Sequence, residues 1–70
     1  MKKTVENSSQ VSEMEYNEQF NTLLVTYKPK MITYKYHKVP QSVANDLFIA
    51  ESIGKHLNEH IKGKFDFEKV

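Results

Sequence analysis

The chain contains no cysteine, so neither a disulfide framework nor a thiolate zinc site can staple its 70 residues. It also lacks tryptophan and arginine, and all ten basic residues are lysines. Lysine is a mobile point charge, whereas arginine forks onto guanine edges and phosphates. Any nucleic-acid contact made by this chain therefore favours the phosphate backbone over base sequence. No apolar run approaches the roughly 18 residues needed to cross a membrane. The opening MKKTVENSSQ has two lysines with no apolar stretch behind them, so it does not read as a secretory signal. A cytoplasmic location is expected.

What is present amounts to one domain. A chain this short buries only about 60 % of its unfolded surface, so stability rests on packing and every aromatic matters to the core. Residues 1–10 are polar and patternless and are expected to form a mobile tail. A domain over residues 11–65 follows, then a C-terminal tail over 66–70. The closing FDFEKV alternates in a way that fits either a short strand or a loose tail.

From Val11 to Tyr16, Met14 and Tyr16 share one strand face and Glu13 and Glu15 the other. NEQFN reads as a turn, with asparagine at both ends. In TLLVTY, Leu23, Val25 and Tyr27 alternate with Thr22, Leu24 and Thr26. KPK breaks the run, because Pro29 cannot donate to a ladder. A third strand over about Met31–Lys38 sets Ile32, Tyr34 and Tyr36 against Thr33, Lys35 and His37.

The period then changes from 2 to 3.6. Pro40 suits the first turn of a helix carrying Val43, Leu47 and Ala50, flanked by Ala44 and Phe48. Ser52 is a candidate N-cap for a second helix with an Ile53, Leu57, Ile61 stripe. Gly63 between Lys62 and Lys64 marks its end. The expected fold is α+β: a three-stranded antiparallel β-meander followed by two helices packed on one face, β-β-β-α-α. Met14, Tyr16, Leu23, Val25, Tyr27, Ile32, Tyr34 and Tyr36 then look inward. Leu24, Thr26, Thr33, Lys35 and His37 look out.

Few residues carry chemistry. The net charge is +1, yet Lys28, Lys30, Lys35 and Lys38 fall in a stretch without a single acid. Such a stripe attracts phosphate, although a merely solvated hairpin has the same composition. The candidate nucleic-acid contacts are Lys28, Lys30, Lys35 and Lys38, with His37 and Tyr36 adding stacking or hydrogen bonds. Tyr34 and Tyr36 would have to face solvent to stack bases, and strand parity places them beside Ile32 on the side the helices cover. HLNEH has the form H-x-x-E-H, but a catalytic zinc needs a third ligand and a cleft, so no metal site is assigned. No glycine-rich phosphate loop, paired carboxylates or Ser-His-Asp order can be assembled. Neither a catalytic role nor a cofactor is expected.

One resemblance adds to this reading. Tyr34-Lys35-Tyr36 forms a YxY motif followed closely by Val39-Pro40, and Ala50, Ser52, Gly54, Asn58 and Ile61 supply an A-x-S-x-G-x-x-x-N-x-x-I pattern. In these marks and their order the chain, over about Ser9 to Phe65, resembles the KTSC domain. That module of roughly 60 residues is found at the C-terminus of some lysyl-tRNA synthetases and as small free-standing bacterial and phage proteins. It departs from the family at the hairpin, where Pro29 and Lys30 replace a usual glycine, and at Ala44 and Leu57, where aromatics are common. The resemblance implies the motif residues Tyr34, Tyr36, Val39, Pro40, Ser52, Gly54 and Asn58 and, through the synthetase context, RNA as a partner. The competing expectation is a protein-interaction module docking on a host protein through Leu24, an unpaired sheet edge or the FDFEKV tail. Self-association through that edge is a weaker third.

Overall fold

The computed structural model describes residues 1–6 and 8–70. Its elements are β1 (Lys2–Thr4), β2 (Val11–Asn17), β3 (Thr22–Tyr27), β4 (Ile32–Tyr36), α1 (Gln41–Phe48), α2 (Ile53–His60) and β5 (Phe67–Lys69). All strands join one antiparallel sheet in the order β1-β2-β3-β4-β5. The expected meander and both helices are present, but among the described residues the sheet has five strands rather than three. The two additional strands are three residues each and lie at the edges. Their extended form comes from pairing with a longer neighbour: Lys3 stands opposite Met14, and Phe67 opposite Tyr36.

Cross-strand register decides which side chains meet the helices. Tyr16, Leu23 and Tyr36 form one row across β2, β3 and β4, and Met14, Val25 and Tyr34 form the next. Ala44 and Leu47 of α1, Ile53 and Leu57 of α2, and Ile61 close over these rows. Tyr36 is only 3 % exposed, so that ring of the YKY triplet belongs to the core. Tyr27 and Tyr34 are half-buried and packed against it. Val11 is fully buried too, although simple alternation turns it away from Met14. A β-bulge between Val11 and Glu13 shifts the register and returns Val11 to the core face. On the opposite face Thr26 and Thr33 share a hydroxyl bond of 2.8 Å.

Local chemistry closes the turns. The Asn17 side-chain oxygen accepts from the backbone N–H groups of Gln19 and Phe20, at 2.9 and 3.3 Å. The two hairpin loops end on left-handed residues, Asn21 (φ 54°) and Met31 (φ 56°), which match the twist of the strands they join. Pro40 is the N-cap of α1, its carbonyl accepting from Val43 and Ala44 at 3.1 Å. After α2 the Lys62 N–H reaches back to the Leu57 carbonyl at 2.8 Å, and Gly63 takes φ 78°.

Candidate nucleic-acid interface

On the helix side of β3, β4 and β5 the aromatic residues form a connected cluster. Tyr27 and Tyr34 meet edge to face with centroids 5.5 Å apart, Tyr34 and Phe67 meet at 5.3 Å and 89°, and Phe67 lies 5.7 Å from Tyr36. The hydroxyls of Tyr27 and Tyr36 are 2.9 Å apart. Burial pushes both phenols above the usual tyrosine range, and their shared hydrogen bond raises Tyr27 further. The cluster grades outward from buried Tyr36, through half-buried Tyr34 and Tyr27, to Phe67, which is 58 % exposed on the edge strand.

Lysines lie beside the Tyr27 and Tyr34 part of this cluster. The Lys62 ammonium lies 4.8 Å from the centroid of the Tyr27 ring, a cation–π contact. Lys69 pairs with Tyr34 across β4 and β5, which puts both side chains on the same face. Lys28 and Lys30 are exposed in the turn just beyond Tyr27 and Ile32, with the Lys28 ammonium donating to the Ser8 carbonyl at 3.1 Å.

The residues expected to contact nucleic acid do not share one surface. Lys28 and Lys30 lie at one end of β4, while His37 and Lys38 lie beyond the other, with the five residues of β4 between them. At about 3.3 Å per residue that separation is roughly 17 Å. Lys35 stands on the opposite face, paired with Leu24 and Glu68. His37 Nε2 is 3.4 Å from Glu68 Oε1. Tyr36 offers no open ring face. Sequence reasoning did not place Phe67, Lys62 and Lys69 beside the tyrosines. The signal was the alternation of Phe65, Phe67 and Lys69, which marks a strand only once β4 is beside it.

The resemblance residues divide into two groups. Tyr34, Tyr36, Val39 and Pro40 hold the sheet to α1. Ser52 is the N-cap residue of α2 yet makes no side-chain cap bond, and Asn58 is exposed. A Cβ on Gly54 would sit 3.4 Å from the Gln10 side-chain oxygen and 3.7 Å from Ser8 Oγ, so the strand connection passes close over this turn. Together Ser52, Gly54 and Asn58 line an open depression of about 750 Å³. The His56 and His60 rings lie 4.4 Å apart on α2. Among the described residues no group of three or more His, Cys, Asp or Glu is placed to hold a metal, and no helix is long and apolar enough to cross a membrane.

A one-sided five-stranded sheet under two helices, with YxY on the strand next to one edge, defines a small α+β module. The KTSC domain family matches residues 7–65, and the chain belongs to that family. It is 40 % identical over 62 residues to a lysine–tRNA ligase from Nostoc punctiforme, a match covering 89 % of this chain and 11 % of the ligase. The chain thus spans about a ninth of that curated relative's length. It is also similar to the crystal structure of a KTSC domain protein from Yersinia pestis, at 27 % identity and a TM-score of 0.91, covering 100 % of this chain and 96 % of the other.

Proposed function

We propose that the chain is a non-catalytic, cytoplasmic RNA-binding module whose phosphate contacts come from Lys28, Lys30, Lys62 and Lys69. The observation that carries this reading is the placement of Lys62 over Tyr27 and of Lys69 beside Tyr34 in the Tyr27–Tyr34–Phe67 cluster, with Lys28 and Lys30 in the turn that follows Tyr27. A cationic rim around an aromatic floor suits a polyanion that also has ring faces to offer. The Nostoc punctiforme relative, a lysine–tRNA ligase, acts on tRNA, and the matched segment is a small part of it. Lys35, His37 and Lys38 lie outside this rim and contribute only long-range attraction.

Fluorescence anisotropy with labelled tRNA and with a labelled unstructured RNA tests the reading. Binding is expected at micromolar protein, weakened about tenfold by Lys62→Glu with Lys69→Glu, since two phosphate contacts are reversed in sign. The absence of any shift with either RNA contradicts it. So does a host protein that is retained after nuclease treatment and ignores both substitutions, a result that favours the protein-docking alternative.

A further inference from the structure

Phe67 is an aromatic ring that the core leaves largely outside. It belongs to a three-residue edge strand, yet 58 % of its surface remains open. Its position is nevertheless defined, because it meets Tyr34 edge to face at 5.3 Å and Tyr36 at 5.7 Å. An exposed ring held by two others is pre-organised, so little motion is lost when something settles on it.

We infer that Phe67, backed by Tyr34, is a stacking platform for an unpaired base, and that this end of the sheet takes single-stranded RNA. The inference rests on the RNA-binding reading above and adds the class of RNA and the residues that select it. Base faces are hidden inside a duplex, and the A-form major groove is too deep and narrow for a side chain to read. A ring at an open sheet edge therefore has nothing to stack on in a duplex, whereas a splayed strand presents a base face at every step. The rim decides between RNA and an apolar protein surface. Lys62 lies over Tyr27 and Lys69 is opposite Tyr34, two positions along β5 from Phe67, while Lys28 and Lys30 are in the turn beyond Tyr27, at the other end of β4. Of the two acids flanking Phe67, Glu68 pairs with Lys35 on the other face and lies 3.4 Å from His37, and Asp66 is exposed just ahead of the strand, where its carbonyl accepts from the His37 N–H. A protein partner would have to neutralise these lysines one by one, while a phosphate backbone does so by its own repeat. With no arginine in the chain there is no fork to read base edges, so selection is for an unpaired strand and tolerant of its sequence.

The test compares a labelled single strand of about ten nucleotides, within the usual span of one small binding module, with a duplex of equal length at the same salt. Phe67→Ala, Phe67→Leu and Phe67→Tyr are measured alongside Lys62→Glu with Lys69→Glu, and circular dichroism checks each fold. The single strand is expected to bind more tightly than the duplex. Loss of the ring in Phe67→Ala or Phe67→Leu weakens single-strand binding about tenfold, the loss of one stacked base, and Phe67→Tyr restores it. Leucine keeps the apolar contact, so Phe67→Leu carries the comparison if alanine loosens the edge strand. Equal binding of duplex and single strand, or unchanged binding by folded Phe67→Leu, overturns the stacking platform. If the lysine pair still weakens binding in that case, RNA recognition survives without it. Binding of neither RNA defeats both readings.

Discussion

The Tyr16 hydroxyl donates to the Val39 carbonyl at 2.6 Å inside the core and lies 3.1 Å from the Asn21 side-chain oxygen. The Val39 N–H in turn donates to the Asn21 carbonyl at 2.8 Å. One phenol thus joins β2, the loop ahead of β3, and the link from β4 to α1. Deleting its oxygen leaves the buried Val39 carbonyl without this partner.

Tyr16→Phe is therefore expected to destabilise the chain by about 1–3 kcal/mol, the usual consequence of orphaning a buried polar group. Urea unfolding followed by circular dichroism should show a lower midpoint with an unchanged slope. An unchanged midpoint would mean that the hydroxyl bond adds nothing net to folding.

Met31 occupies the left-handed region at φ 56°, where a Cβ is strained by about 1–2 kcal/mol. Met31 is also 55 % exposed, so its side chain contributes little packing. Met31→Gly should raise stability by about 1 kcal/mol, or several degrees in Tm for a chain of this size. A lower Tm would show that the methionine is held by contacts worth more than the strain.

Three phenols respond to alkaline pH in one direction. Burial raises the pKa values of Tyr16, Tyr27 and Tyr36 above the ordinary 10.0, with the nearby Glu18 charge adding to Tyr16 and the hydrogen bond to Tyr36 adding to Tyr27. Above pH 10 the unfolded chain releases these protons while the folded chain keeps them. The unfolded state then binds fewer protons, and stability falls as pH rises. Tyrosinate absorbance from these three rings should appear together with loss of the folded circular-dichroism signal. Their ionisation in a chain that remains folded would contradict this.

Much of this fold was legible because alternation and helical period each repeat over enough residues to be counted. Leu23, Val25 and Tyr27 announce β3, while Ile53, Leu57 and Ile61 announce α2 and the turn after it. β1 was hidden because Lys2–Thr4 has no apolar alternation and is extended only through pairing with β2. The burial of Val11 was hidden by a bulge, which changes parity without leaving a mark in composition. Tyr36 could be assigned to the core from strand parity. Parity alone could not bring Phe67, Lys62 and Lys69 to the aromatic cluster, since they come from an edge strand and a helix end. The acid-free stretch from Lys28 to Lys38 suggested a continuous basic hairpin. Strand parity already set Lys35 on the outer face, as the structure has it; what composition did not show is that the length of β4 separates Lys28 and Lys30 from Lys38.

The salt dependence of RNA binding tests most directly whether lysines at the aromatic end of the sheet hold the ligand. For a single strand neutralised by four lysines, log K against log salt should fall with a slope of about −3. With Lys62→Glu and Lys69→Glu it should become shallower, about −1.5 or less. A slope near zero, or one that these substitutions leave unchanged, would contradict phosphate recognition by this surface.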